Sequence, residues 1–180
     1  MTLTDIANIA LESLGADSIN SIDQNSPTAR KIKRVLHSVI DDVQIIRNWS
    51  CLLKIGKLER ASEEMISGEY QYVVPKNLLN IVSQNAQWRR VGRYIMSSSP
   101  TLIIEYTASN YQPEQWCKNL QGAVIAKLKA EIVGAIVGNR DLIVHTIQLA
   151  EHDINRYMMN DINSSKNVVR QKESSWFSGV

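Results

Sequence analysis

Few side chains in this sequence are spaced for chemistry. His145 and His152 stand seven residues apart on one face of a helical pattern, next to Glu151 and Asp153, and such a grouping invites a metal ion. Four converging ligands are missing, however, and histidines are common on helix surfaces, so the group reads as a solvated face. Asp41 and Asp42 likewise read as the solvated side of a helix and not as a general acid/base pair. Cys51 and Cys117 are far apart in the chain and outside any metal-ligand spacing. They read as reduced, partly buried thiols, with a disulfide as the alternative. There is no glycine-rich phosphate loop, no His-Glu-x-x-His helix and no Gly-x-Ser-x-Gly turn, and three histidines leave little material for a base. The expectation is a protein with no catalytic residues, no metal and no cofactor.

Two charged segments ask for a different explanation. Arg30, Lys31, Lys33 and Arg34 fall in the first turns of a helix, where positive charge opposes the macrodipole. Solvated surface is one reading, and contact with an acidic partner or with DNA phosphates is the other. The tail from Ser164 to Val180 carries Lys166, Arg170 and Lys172 against a single acid, Glu173, and then presents Trp176 and Phe177. It is too polar to form its own core. It is either a disordered end with incidental aromatics or a peptide that orders on a partner, with Trp176 and Phe177 as anchors.

The elements that position these residues follow from periodicity. A short apolar helix stops at Gly15, and a longer one opens at Ser26-Pro27, where the serine can cap and the proline lacks a donor that would be unpaired anyway. Ile32, Leu36, Val39, Val43 and Ile46 repeat at four- and three-residue steps, with Val35 and Ile40 widening the stripe, and predict a helix to Trp49. The middle of the chain is strand-rich: Tyr70 to Val74 ends at Pro75, Trp88 to Met96 is broken by Gly92, and Leu102 to Tyr106 is β-prone. Ser97-Ser98-Ser99-Pro100 reads as a hairpin turn between the last two runs. Glu59 to Gly68 reads as a loop or a short helical turn.

Pro113 then opens a helix of about 25 residues, close to 40 Å long. Trp116, Leu120, Val124, Leu128 and Ile132 form one stripe, and Gly122, Ala126, Ala130, Gly134 and Gly138 form a second with almost no side chain. That ridge admits close approach of a helix, either from this chain or from a neighbouring subunit; Lys127, Lys129 and Glu131 make it unlike a membrane ridge. After Gly138-Asn139-Arg140-Asp141, the stripe Ile143, Ile147, Ala150, Ile154 and Met158 predicts a second helix antiparallel to the first.

At 180 residues with 44% hydrophobic residues the chain can bury a real core, and a formal net charge of +2 is too small to argue for nucleic-acid binding by bulk charge. No signal peptide is expected at Met1, and no apolar run reaches the roughly 18 residues of a membrane span. The expected fold class is α+β: mainly a helical bundle of long helices, with an inserted β-rich subdomain and an extended C-terminal tail. Residues 1–163 form one domain, helical over 1–50 and 113–163 with the β-rich insert at 51–110, and residues 164–180 form the tail.

This layout resembles the tail tubular protein A, or head-to-tail adaptor, family of short-tailed bacteriophages. The matching features are Ile9-Ala10-Leu11 through Leu14-Gly15, Ser21-Ile22-Asp23, and the long helix closing on Trp49. Further on come Tyr70-x-Tyr72 before Val74-Pro75, then Trp88, Gly92, Leu102-Ile103-Ile104-Glu105-Tyr106, and the Ala/Gly-rich helix ending in Val137-Gly138. The chain departs from the family after Trp49, where Ser50-Cys51 replaces a frequent aromatic residue. The resemblance implies a structural virion protein and not an enzyme. It implies a ring, twelve-fold in the family, made in the host cytoplasm and seated at the portal vertex. Such a ring docks under the portal protein, extends the channel through which viral DNA passes without sequence-specific grip, and carries the tail nozzle protein with fibres nearby. By that resemblance Lys166, Arg170, Lys172, Trp176 and Phe177 would contact the portal or an adjacent subunit. A small helical nucleic-acid-binding regulatory module is the alternative.

Overall fold

The computed structural model describes residues 1–62 and 66–176, with side chains through residue 164. The chain divides into two compact units, Met1–Cys51 with Tyr111–Val180, and Leu52–Asn110.

The first unit is helical. Helix α1 spans Leu3–Glu12 and begins at a capping box in which Thr2 Oγ1 accepts from the Asp5 N–H and the Asp5 carboxylate accepts from the Thr2 N–H. Gly15, at φ +71°, lets the chain turn away. Helix α2 spans Pro27–Ile45, with the Ser26 hydroxyl accepting from the Ala29 N–H at 3.2 Å as the cap spacing predicts. Helix α3 spans Lys118–Ile136 and α4 spans Arg140–Trp176. Among these, α3 packs against α1, α2 and α4, and it buries Leu120, Ala123, Val124, Leu128, Ile132 and Val133. A helix surrounded in this way must be apolar on more than one side.

Among its described residues the second unit holds six strands: β1 Leu53–Lys57, β2 Tyr70–Val73, β3 Leu78–Gln84, β4 Arg89–Val91, β5 Tyr94–Ser97 and β6 Ile103–Ala108. They make two three-stranded antiparallel sheets, ordered β1-β6-β3 and β2-β5-β4. Leu58, Tyr72, Ile95, Leu102 and Ile104 form its core, flanked by Tyr70, Leu78, Ile81, Trp88 and Tyr106.

Several expectations are corrected. The α+β class stands, but the chain is not a bundle of long helices; helices of 10, 19, 19 and 37 residues accompany two small sheets. Helix α2 stops before Trp49, whose buried indole folds back and donates from Nε1 to the Val43 carbonyl at 2.7 Å, satisfying an otherwise open C-terminal acceptor. Helix α3 starts later than Pro113, because Trp116 is extended at φ −81° and ψ 145° and separates a short 3-10 turn from the helix. Among the described residues, those after 163 are helical and not extended, since α4 runs on to Trp176. Neither proline nor glycine occurs between Asn139 and Ser178 to stop it. Finally, Ser97 to Pro100 is not a hairpin turn. β5 already has β2 and β4 on its two sides, so β6 cannot pair with it and joins β1 and β3 in the other sheet. The hairpin lies at Gly92-Arg93 instead, between Val91 and Tyr94, with Gly92 at φ +58°.

Candidate functional site

The small-residue ridge is divided between two environments. Gly122 lies under the ring of Tyr157 from α4, so closely that a Cβ built there would fall within 2.8 Å of three ring carbons. This end of the ridge is spent on packing within the chain. Ala126 is buried, Ala130 is half-buried, and a Cβ on Gly134 or Gly138 would meet nothing within 4 Å. Gly138 lies beyond the last residue of α3. Along α4, Thr146, Ala150 and Asp161 are buried, while Ile147, expected in the buried stripe, is exposed. Ile143, Ile154 and Met158 are half-buried, so the expected stripe holds at every member but Ile147, and Asp161 continues it.

A groove of about 440 Å³ runs between the C-terminal end of α2 and its neighbours, lined by Asp42, Val43, Ile45, Ile46, Lys127 and Ile154. Ile46, expected to continue the buried stripe of α2, is 49% exposed, and Ile45 beside it is exposed as well. The basic cluster is on the surface, and two of its members have structural work. The Lys31 ammonium donates to the Ala135 carbonyl at 3.2 Å, at the end of α3 where orphan acceptors and the helix dipole favour a cation. Lys33 pairs with Asp23 at 2.6 Å. Arg30 and Arg34 are exposed.

A further polar cluster gathers around Asp161, which sequence reasoning did not single out. Asp161, 2% exposed, accepts from the Ser50 hydroxyl at 2.6 Å and the Ser50 N–H at 3.1 Å, and lies 3.5 Å from the Arg47 guanidinium. Arg47 also donates from Nη1 to the Met158 carbonyl at 2.7 Å, while its buried Nε has no partner among the described residues. Cys117 Sγ lies 3.7 Å from the Asp161 carboxylate, and Cys51 Sγ donates to Cys117 Sγ at 2.8 Å. The thiol of Cys117 is lowered to about 7, chiefly by the hydrogen bond from Cys51 and further by the Leu120 backbone N–H, against burial and the nearby Asp161 charge. The Cys51 thiol moves upward, because its proton is held between the sulfurs and partial burial disfavours its charged form. A signal was present: Asp161 occupies the position where the stripe through Ile154 and Met158 calls for an apolar residue.

The other candidates do not converge. His145 and His152 are exposed, Asp153 pairs with Arg156 at 3.0 Å, and no group of three metal-ligating side chains occurs among the described residues. Asp41 accepts from the Tyr111 hydroxyl, a bond that raises the phenol, and His37 stacks on the same ring with centroids 5.5 Å apart. No helix among the described residues is long and apolar enough to cross a membrane. Of the tail candidates, Lys166, Arg170, Lys172 and Trp176 lie on the backbone of α4 with side chains outside the described residues, and Phe177 lies outside them altogether. No protein-family model matches the chain, and no curated protein matches it.

Proposed function

We propose that the chain is a non-enzymatic structural subunit of a head-to-tail adaptor ring of a short-tailed bacteriophage, seated between the portal and the tail nozzle. The observation that carries this reading is the open half of the α3 ridge. Gly134 has free space around it while Gly122 is filled by Tyr157, so a close-approach surface is left on a helix otherwise enclosed on several sides. In a ring each contact is heterologous, one face of the subunit meeting a different face of its neighbour. The exposed Ile45 and Ile46 beside the groove supply apolar area for such a contact. Engagement of Lys31 and Lys33 within the chain reduces the cationic surface on which a nucleic-acid module would depend, and so favours the adaptor over that alternative.

Negative-stain imaging of the protein mixed with a cognate portal tests the proposal, with a closed ring beneath the portal as the expected outcome. Gly134→Leu should leave the isolated subunit as stable as the parent, or slightly more so because glycine is a poor helix residue, while reducing ring formation. Normal rings with this variant would remove the ridge from the interface, and absence of any portal complex would remove the adaptor reading.

A further inference from the structure

We infer that Cys51 and Cys117 are a redox modification site, a dithiol that closes reversibly to a disulfide within one chain. The two sulfurs are in direct contact although 66 residues separate them in sequence. Each is held by its own local structure. Cys51 lies in the short 3-10 turn Ser50–Leu52, which the two hydrogen bonds from Ser50 tie to Asp161. Cys117 is the N-cap residue of α3, immediately after the buried Trp116. Both cysteines are half-buried, so a small oxidant reaches them while the surrounding chain keeps them paired. Closure would therefore need little movement of the backbone.

The chemistry assigns the two sulfurs different parts. Cys117 stands at the N-terminus of α3, where the Cys51 S–H and the Leu120 N–H favour its thiolate against the Asp161 charge, which makes it the attacking sulfur. With a peroxide as oxidant, the Cys117 thiolate attacks one peroxide oxygen, the O–O bond breaks, and the departing hydroxide takes up a proton to leave as water. Cys117 is then a sulfenic acid. Cys51 attacks that sulfur, the S–O bond breaks, and the proton of Cys51 leaves with the hydroxyl group as a second water. The two sulfurs lose two electrons in all and the peroxide gains them. A dithiol reductant reverses the bond by exchange.

Oxidation changes the topology of the chain. Cys51 immediately precedes the unit Leu52–Asn110 and Cys117 follows it, so the bond encloses that entire unit in a covalent loop.

The test uses the full-length protein. It is treated with hydrogen peroxide in modest excess, blocked with N-ethylmaleimide and weighed intact, before and after dithiothreitol. The expected result is a monomer that has lost two hydrogen atoms, takes no maleimide, and takes two after reduction, with Cys51 and Cys117 joined in the peptide map. Maleimide addition to both sulfurs after peroxide, oxidation that stops at sulfenic or sulfinic acid on the parent protein, or a bond between two chains would each overturn the inference. Cys51→Ser provides an independent reading: Cys117 should then accumulate as a sulfenic acid trapped by dimedone. Dimedone labelling of Cys51 in a Cys117→Ser protein, at or above the rate seen for Cys117 in Cys51→Ser, would overturn the assignment of Cys117 as the attacking sulfur.

Discussion

Alanine at Gly122 should act through one side chain, Tyr157. The new Cβ would fall within 2.8 Å of three carbons of that ring, against the 3.4 Å at which ordinary contact begins. Forcing bulk into a packed contact costs about 1–3 kcal/mol. Replacing glycine inside a helix returns about 0.8–1 kcal/mol. The net should be a destabilisation on the order of 1 kcal/mol, or about 2–4 °C in the unfolding midpoint for a chain of this size. The decisive measurement is a double-mutant cycle by urea denaturation. In a Tyr157→Ala background the obstruction is gone, so Gly122→Ala should change sign and stabilise by roughly 0.8–1 kcal/mol. The coupling between the two sites is then about 2 kcal/mol. Additivity of the two substitutions within about 0.5 kcal/mol would refute the claim that this ring occupies the ridge.

Asp161→Ala leaves the half-buried Arg47 and the Ser50 hydroxyl without their carboxylate, and should cost about 3–5 kcal/mol in chemical denaturation; a loss below about 1 kcal/mol would show that the cluster is not a buried network. Iodoacetamide should modify Cys117 with a rate that is half-maximal near pH 7 and falls at lower pH as the thiolate takes up its proton. Removing the principal donor with Cys51→Ala should move that midpoint upward toward the ordinary 9.0, with Asp161 still opposing ionisation; an unmoved midpoint would mean that Cys51 does not set it.

What could be read in the sequence was what is local. The start of α2 follows from Ser26-Pro27 alone, and the buried line Leu120, Val124, Leu128 and Ile132 of α3 follows from a repeat that no polar residue interrupts. On α4 the same counting placed Ile143, Ala150, Ile154 and Met158 on the inner side, but missed Thr146, which is buried beside the exposed Ile147, and Asp161, a buried acid on the same stripe. Strand β1 was missed since its partner, β6, lies some fifty residues away, as in the pair Leu53 with Thr107. Strand β3 was missed since bulges between Leu78 and Asn80 and between Ile81 and Ser83 break the alternation that marks a strand. The Cys51, Cys117 and Asp161 cluster brings together three distant segments, and only its odd member, an acid in an apolar stripe, left a trace.

The order of the chain also dictates the order in which it can fold during synthesis. Helices α1 and α2 emerge before the inserted unit, but the helix they both pack against, α3, is not made until the whole of Leu52–Asn110 has been translated. At ~5–20 residues per second that delay is roughly 3–12 s. Throughout it, α1 and α2, whose buried residues include Ile6, Leu11, Ile32 and Leu36, lack the helix against which both pack. The inserted unit faces no such wait, because β1 at its beginning pairs with β6 at its end and it can close on its own contacts. Helices α1 and α2 are thus made before the inserted unit yet find their partner after it, and those seconds are when a nascent chain of this design depends most on chaperones.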